Sequence, residues 1–370
     1  MPSSLLLLGL LLAADPSWKG AAPGYAWSFP DDHWSHPGYR NEWWYFTGLL
    51  AEPGAASPRI GYQVTFFRIG LTPARREAAP ASASAWSATD ALMGHVAVVD
   101  LATGERIFSE VVYRAIPLLA GFGSPPDALL AWSRGPPGTE RPWELRLDGD
   151  GFAIDVGDRA RGLALRLRLR PTRPPVLQGP GGLSRKSAEE GFASLYYSLT
   201  RLATEGEVEL GGRTLSVRGE SWMDKEFGSS QLAPDQAGWD WFALRLADGR
   251  DLMLYLLRDK AGAVSFASGT LADRDGTPRW LPASGFRVQA TRRWRSPATG
   301  ADYPAAWTVE VPSAGLTLRV EPLVADQENR GGSAPYYWEG AVRVTGDGGA
   351  PAGEGFVELT GYGEGNRPPL

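Results

Sequence analysis

The chain has 370 residues, of which 43% are hydrophobic and 21% charged, and its formal net charge at pH 7 is −5. This length is enough for two domains that each have a hydrophobic core. The acidic balance argues against a nucleic-acid-binding protein, which needs a basic surface, and the absence of cysteine excludes disulfides, thiolate metal sites and cysteine nucleophiles. The 46 Gly, 30 Pro and 15 Trp, together with few long polar helical runs, predict an all-β chain.

The N-terminal region contains an apolar run over residues 5–12, followed by two alanines. This run is too short to cross a bilayer and is typical of the core of a signal peptide, although no basic residue precedes Lys19. We therefore expect residues 1–14 to be a signal peptide and the protein to be exported, to the periplasm or out of the cell. We expect no transmembrane segment in the mature chain.

Short apolar and aromatic runs separated by turn residues predict antiparallel strands along the whole chain. In the first half these strands cover residues 41–47, 61–69, 94–100, 105–113, 144–147, 152–156 and 163–169. Three segments rich in Pro, Gly or Ala interrupt the pattern, at 71–92, 115–143 and 171–191. Insertions of this length often form lids or binding loops.

Further along the chain, the predicted strands cover residues 195–202, 208–210, 214–218, 239–246, 251–257, 264–271, 286–294, 306–311, 316–321, 337–345 and 355–361. Several strings recur between the halves: Trp-Trp-Tyr-Phe at 43–46 resembles Asp-Trp-Phe-Ala at 240–243, and Tyr196-Tyr197 recurs as Tyr336-Tyr337. A duplicated set of roughly eight strands, closed to avoid exposed edges, predicts two lipocalin-like antiparallel β-barrels packed together. We place the N-terminal barrel at residues 24–205 and the C-terminal barrel at 206–370.

Carboxylates and tryptophans are concentrated in the segment 219–228, Gly-Glu-Ser-Trp-Met-Asp-Lys-Glu-Phe-Gly, and in the Trp-Asp-Trp string at 239–241. In an extended strand, Asp240 shares a face with the apolar residues two, four and six positions further on. A carboxylate on such a face is costly to bury unless it is protonated or paired. Asp240 is therefore a candidate functional acid. The alternative is a structural role, in which it accepts hydrogen bonds from strand-end amides or pairs with an arginine such as Arg245.

A carboxylic acid that stays neutral near pH 7 in an apolar pocket can protonate an alkene, and an indole face can stabilise the resulting cation. The candidate catalytic residues for this chemistry are Asp240 as the acid and Trp222 and Trp239 as its aromatic partners. The candidate ligand-binding residues are Glu42, Trp44, Tyr197, Asp224, Trp241 and Tyr255. Each has a structural alternative: the aromatic residues fill a barrel, Glu42 closes its end, and Asp224 belongs to a solvated turn or a salt bridge.

Other catalytic classes are disfavoured. The segment 219–223 lacks the second glycine of a nucleophile elbow, and the chain contains only three histidines, all within its first hundred residues. His33 and His36 have a spacing found in metal sites, but the sequence shows no third ligand near them. Neither a phosphate-binding loop nor a dinucleotide fingerprint is present. We therefore expect no metal and no cofactor.

Several strings in the sequence resemble the AttH-like proteins, which are related to carotenoid 1,2-hydratase and are often described as predicted secreted hydrolases. The strings are NEWWYFTG at 41–48, GH at 94–95, YYSLTR at 196–201, SWMDKEFG at 221–228, GWDWF at 238–242, YWEG at 337–340 and ELTGY at 358–362. The resemblance covers residues 30–370. It implies two packed lipocalin-like barrels with a ligand cavity near their interface.

For the hydratase branch, the resemblance implies cofactor-free addition of water across a terminal isoprenoid double bond. Asp240 matches the proton donor, Trp222 matches the aromatic position, and Trp239 stands where that branch carries a tyrosine. The alternative is a non-catalytic carrier or accessory subunit of an ABC-type exporter, because some members of the family are associated with such transporters. Both alternatives predict a hydrophobic small molecule as the ligand.

Overall fold

A computed structural model describes residues 17–73, 84, 86–332, 335–363 and 368. Over these residues the chain forms two large antiparallel sheets and several single turns of 3₁₀ helix. One sheet curls into a nearly closed barrel and the other into a half-barrel, which confirms the predicted all-β, lipocalin-like architecture. None of the helices in the described part of the chain is both long and apolar enough to cross a membrane.

The first sheet has thirteen strands. They are β1 (Asn41–Ala51), β2 (Ile60–Gly70), β3 (Asp90–Asp100), β4 (Arg106–Arg114), β5 (Ala120–Phe122), β6 (Leu129–Ser133), β7 (Trp143–Asp148), β8 (Gly151–Asp158), β9 (Leu163–Pro171), β10 (Val176–Leu177), β11 (Leu183–Arg185), β12 (Ala193–Leu210) and β13 (Arg213–Ser230). Their order is β4-β3-β2-β1-β13-β12-β9-β8-β7-β6-β5, and β10 and β11 pair separately with β12.

The second sheet has ten strands. They are β14 (Gln236–Leu246), β15 (Asp251–Asp259), β16 (Val264–Ala272), β17 (Pro278–Pro282), β18 (Arg287–Arg295), β19 (Asp302–Val311), β20 (Leu316–Pro322), β21 (Glu328–Asn329), β22 (Tyr337–Thr345) and β23 (Pro351–Leu359). Their order is β17-β16-β15-β14-β23-β22-β20-β19-β18, with β21 paired to β22. The 3₁₀ turns are Asp31–His33, Arg159–Arg161, Pro180–Gly182, Ala283–Gly285, Pro312–Ala314 and Asp347–Gly349.

The internal repeat read from the sequence is visible in the strand order. In each sheet the first four strands form a meander, and the first strand also pairs with the last, so that β1 lies beside β13 and β14 lies beside β23. The remaining strands follow in the same sequence in both sheets. The string at 43–46 and the string at 240–243 therefore occupy equivalent strands, β1 and β14.

The boundary between the barrels lies later than predicted. The predicted boundary at 205–206 falls inside β12, which continues through the polar stretch 204–207 and pairs there with β9 and β13. The glycines at 211 and 212 form the tight turn between β12 and β13, and both have positive φ. The first sheet thus extends to Ser230 and the second begins at Gln236. The predicted signal peptide at 1–14 lies outside the described residues, as does much of the 71–92 segment.

Each barrel has its own apolar core, and a third cluster lies between the two. Side chains alternate between the faces of each strand. On β1, Trp44 and Phe46 point into the first barrel, whereas Tyr45 and Leu49 point out of it. The cluster between the barrels is composed mainly of such outward-facing residues, so the barrels pack through the outer faces of β1, β12 and β13 and of β14, β15 and β23.

Candidate functional site

A cavity of about 290 Å³ lies between the barrels, inside the third apolar cluster. Its walls are formed mainly by β1, β2, β3, β12 and β13 on one side and by β14, β15, β22 and β23 on the other. Apolar and aromatic side chains provide most of the lining. The predicted location of a ligand cavity, near the interface of the barrels, agrees with this position.

Strand register brings a carboxylate and a phenol together on the wall formed by the first sheet. Tyr45 lies opposite Asp224, and Asp224 lies opposite Ser198, in one row across β1, β13 and β12. Residues directly opposite each other in an antiparallel sheet point to the same face and are close enough for their side chains to interact. The row therefore places Asp224 between Tyr45 and Ser198, facing the second barrel.

The facing wall contains a row built in the same way. Tyr255, Trp241, Glu358 and Glu339 follow one another across β15, β14, β23 and β22. The row thus presents two aromatic side chains and two carboxyl groups toward the first barrel. Of these four residues, Glu339 lies behind the cavity surface and the other three border it.

Asp224 is the acid whose surroundings are most distinctive. Its carboxyl group is 3% exposed and accepts hydrogen bonds from Ser198 Oγ at 2.5 Å, Trp222 Nε1 at 2.6 Å and Tyr196 OH at 2.7 Å. All three donors are neutral, and no described lysine or arginine forms an ion pair with it. Burial raises the pKa of Asp224 to about 7, although the hydrogen bonds act in the opposite direction. Near neutral pH, both its protonated and its ionised forms are therefore populated.

Trp241 connects the second barrel to this acid. Its indole Nε1 donates to Tyr196 OH at 3.1 Å, and Tyr196 OH donates to Asp224. The Trp241 ring also packs edge-on against Tyr45, with ring centroids 5.2 Å apart. The position of the acid on the first barrel thus depends on an aromatic side chain of the second.

The second pair of carboxyl groups also sits among neutral donors. Trp239 Nε1 donates to Glu358 Oε2 at 3.1 Å, and Tyr45 OH donates to Glu339 Oε1. Burial, together with the charges of Asp224 and Glu226, raises the pKa of Glu358 to about 7. Burial, reinforced by the charge of Glu358, holds the pKa of Glu339 well above its ordinary value.

One cation borders the cavity near these acids. Lys186 Nζ lies 2.7 Å from Glu226 Oε1 and 3.1 Å from Ser184 Oγ, and it is 4.5 Å from the centroid of the Tyr255 ring. The ion pair gives Glu226 a cationic partner. The acids that remain without a cationic partner at this cavity are therefore Asp224 and the Glu339–Glu358 pair, among the residues that the structure describes.

The sequence matches the AttH-like family model over residues 20–362. The chain belongs to the AttH-like family. A putative AttH from Nitrosomonas europaea has a solved structure that is 32% identical, covers 93% of this chain and 99% of its own, and superposes with a TM-score of 0.79. This likeness supports both the family and the double-barrel fold.

Other relatives of this AttH-like chain are named as enzymes that add or remove water. Dehydratase asqC of Emericella nidulans is 26% identical over 210 residues, which is 52% of this chain and 57% of that protein, so the match spans little more than half of the relative. Kievitone hydratase from Nectria haematococca is 14% identical, with a TM-score of 0.66 over 94% of this chain and 97% of its own. At that identity the structural likeness shows the fold alone. The AttH-like chain thus has a hydratase-like lipocalin fold.

The structure does not place Asp240 at the cavity. Asp240 points into the second barrel, where Arg258 Nε donates to it at 2.9 Å and Tyr362 OH lies 2.8 Å from its Oδ1. The physical reason is the alternation along β14: Trp241 faces the cavity, so its neighbour Asp240 faces the opposite way. The alternative read from the sequence, a structural carboxylate paired with an arginine, fits this geometry, but the partner is Arg258 rather than Arg245.

This pairing predicts a structural role for Asp240. We expect Asp240→Asn to lower the free energy of unfolding by about 2 kcal/mol, because the buried Arg258 loses its carboxylate while Tyr362 and the amide still offer hydrogen bonds. Urea denaturation measures the change. Asp150→Asn, at an exposed hairpin tip, is the control. A variant that unfolds like the wild type would contradict a structural role for the pair.

The other predicted site residues divide between the cavity and the barrel interiors. Those that border the cavity are Glu42, Asp224, Trp239, Trp241 and Tyr255. Trp222 does not border it but donates to Asp224. Trp44 and Tyr197 point into the first barrel, contrary to the predicted ligand wall, because each alternates with an outward-facing tyrosine (Tyr45 and Tyr196). Both bond to His33: Trp44 Nε1 to its carbonyl oxygen at 2.7 Å, and Tyr197 OH to its Nδ1 at 2.6 Å.

Sequence reasoning missed four residues of the site: Tyr45, Tyr196, Glu339 and Glu358. All four lie in strings that carried the family resemblance, but in each string another residue drew attention. Strand register would have identified them, because it places Tyr45 opposite Asp224 and Glu339 opposite Glu358.

Proposed function

We propose that the cavity between the barrels binds an apolar small molecule and that Asp224 donates the proton for cofactor-free addition of water to a carbon–carbon double bond. The reverse reaction, loss of water, uses the same groups. The observation that carries the proposal is the environment of Asp224: a buried carboxyl group at an apolar cavity, held by three neutral donors. The names of the relatives, dehydratase and hydratase, support this reaction class.

The chemistry follows from these surroundings. A carboxylic acid with a pKa near 7 is still partly protonated at neutral pH and is strong enough to transfer that proton. Protonating an alkene leaves a carbocation, which is stabilised by the electron-rich faces of aromatic rings. Tyr45, Trp239 and Trp241 border the cavity next to the acid. The indole N–H groups of both tryptophans already bond to protein acceptors, so their ring faces remain for the ligand.

The largely apolar walls favour a hydrocarbon-rich ligand with a substituted double bond, of which isoprenoids are the nearest common class. The second candidate function is a non-catalytic carrier of the same ligand. The apolar cavity would then bind the ligand, and Asp224 would transfer no proton to it. Neither the contacts nor the relatives support a partnership with an ABC-type exporter. That partnership and export of the protein remain predictions from the sequence.

Ligand binding and reaction are tested together with farnesol, an isoprenoid alcohol with three trisubstituted double bonds. We expect farnesol to quench the fluorescence of the cavity tryptophans and, in water labelled with oxygen-18, to gain labelled water detectable by mass spectrometry. Trp241→Phe shrinks the aromatic wall of the cavity, and we expect it to weaken binding about fivefold, since an aromatic contact contributes about 1 kcal/mol.

Trp280→Phe is the matched control, because Trp280 is 48% exposed and does not border the cavity. We expect it to bind farnesol like the wild type. Quenching without incorporation of labelled water favours the carrier. If farnesol produces neither effect, the proposal of an isoprenoid-like ligand is wrong.

A further inference from the structure

Addition of water requires two proton transfers, and Asp224 accounts for one of them. The second is removal of a proton from the water that attacks the carbocation. The group that removes it has to border the cavity, be ionised while Asp224 is protonated, and approach the ligand from another direction. The facing wall holds the only described carboxyl groups besides Asp224 that border or adjoin the cavity without an ion pair, Glu339 and Glu358.

We propose that Glu358 is the base that takes the proton from the attacking water, on the wall opposite Asp224, and that Glu339 is the positioning residue beside it. This inference rests on the proposed function. Three observations support it. Trp241, Glu358 and Glu339 lie opposite one another on neighbouring strands, and Glu358 borders the cavity. Trp239 donates a hydrogen bond to Glu358, and Tyr45 donates one to Glu339.

Two carboxyl groups directly opposite each other on neighbouring strands cannot both be ionised without a nearby cation. Arg106 acts on Glu339 through its charge, but its guanidinium donates instead to Glu328 O at 2.9 Å and to Asn329 Oδ1. The pair therefore holds one proton near neutral pH. That proton resides on Glu339, because Glu339 is the more deeply buried of the two and has the more strongly raised pKa. Glu358 is then the ionised member.

The remaining groups around Glu358 are consistent with this assignment. Across the cavity are Asp224, Glu226 with its Lys186 partner, and the neutral phenol of Tyr45. On its own sheet, Tyr337 also borders the cavity, and Gln63 Nε2 donates to its hydroxyl group at 2.9 Å. No described cation pairs with Glu358, so its charge is free to attract the proton of a water molecule.

The reaction balances with these two groups. The proton of Asp224 and the π electrons of the alkene form the new C–H bond. The water oxygen forms the C–O bond with the other carbon, and Glu358 takes the water proton. Asp224 ends ionised and Glu358 protonated. Solvent then returns both to the starting state, which is easy near pH 7 because both groups have a pKa of about 7. With acid and base on opposite walls, the proton and the hydroxyl group add to opposite faces of the double bond.

The terminal epoxide of farnesol tests this arrangement without depending on turnover of an alkene. If Asp224 protonates the epoxide oxygen while ionised Glu358 attacks a ring carbon, the C–O bond of the ring breaks and an ester forms on Glu358. We expect peptide mass spectrometry to locate the ester on Glu358. Labelling should be fastest near pH 7 and fall on both sides, because Asp224 needs its proton and Glu358 must lack one.

Variants separate the two proposals. We expect Glu358→Gln to abolish the ester while farnesol binding persists. Glu339→Gln should leave the ester on Glu358. Glu140→Gln, whose side chain is 88% exposed, is the control and should label like the wild type. If the epoxide binds and no ester forms on Glu358, or if Glu358→Gln labels normally, this inference is wrong and the proposed function stands. If Asp224→Asn labels normally, the proposed function fails. If neither farnesol nor its epoxide quenches tryptophan fluorescence, both proposals fail.

Discussion

Asp224→Asn should lower the rate of water addition by about a thousandfold while the protein stays folded. General acid catalysis typically contributes between about a hundredfold and ten-thousandfold, and an amide of the same shape cannot donate the required proton. The variant retains the three donors around position 224, so the geometry of the cavity is preserved. Rates with farnesol, measured as gain of labelled water, check the prediction. Asp150→Asn is the control.

The pH dependence of the wild type offers an independent check on Asp224. Protonated Asp224 is required for the reaction, so the rate of proton donation should fall as the pH rises above about 7.

The free energy of unfolding also depends on the protonation of Asp224. Because the folded protein holds the proton more tightly than the unfolded chain does, the contribution of Asp224 to stability is present below its ordinary pKa near 4 and is lost as the pH rises toward 7. Asp224→Asn should lack this loss. A variant that keeps full activity would exclude Asp224 as the acid.

The fold was largely predictable from the sequence because each strand leaves a local pattern. Alternating side chains and Gly-rich turns marked most of the strands, and the repeated aromatic strings predicted the duplicated barrel. The longest strands were the exception. β12 and β13 were each predicted as shorter pieces, since polar residues around Gly206 look like a break when the partner strands are unknown. Pairing with β9 keeps that stretch extended.

The site was less predictable because the protein buries both faces of its central strands. One face of β14 lines the interior of the second barrel and the other lines the cavity, and both are apolar. The sequence shows that Asp240 and Trp241 point in opposite directions, but it does not show which direction is the cavity. The same ambiguity applies to Trp44 and Tyr45 on β1. Taking the wrong face of β14 as the cavity wall therefore placed Asp240 at the predicted cavity, whereas the carboxyl group that borders it is that of Asp224 on β13.

Glu42→Gln is expected to produce the largest loss of stability, about 4 kcal/mol at pH 7, because it breaks a buried charge network. The Glu42 side chain is fully buried, and it accepts hydrogen bonds from Lys225 Nζ, from Arg68 Nε at 2.8 Å and from His36 Nδ1 at 2.6 Å. Lys225 is also fully buried and lies 3.5 Å from the centroid of the Trp44 ring. Without the carboxylate, Lys225 and Arg68 lose the anion between them.

The pH dependence of this loss has a definite sign. Burial alone would raise the pKa of Glu42, but Lys225, His36 and Arg68 hold it well below its ordinary value. The carboxylate therefore stabilises the fold above its ordinary pKa, near 4, and this contribution is lost as the pH falls. Burial lowers the pKa of Lys225 to about 8, so the attraction also weakens above that pH. The difference between Glu42→Gln and the wild type should be largest between about pH 5 and 8.

Urea denaturation across this pH range measures the difference, with Glu140→Gln as the exposed control. Replacing both members of the pair, Glu42→Gln with Lys225→Met, should recover part of the stability. The reason is that the double variant leaves no unpaired ammonium group beside Trp44, whereas the single variant does. A double variant less stable than Glu42→Gln alone would show that Lys225 stabilises the barrel by packing on Trp44 rather than through its charge. The interior of the first barrel would then tolerate the ammonium group without Glu42.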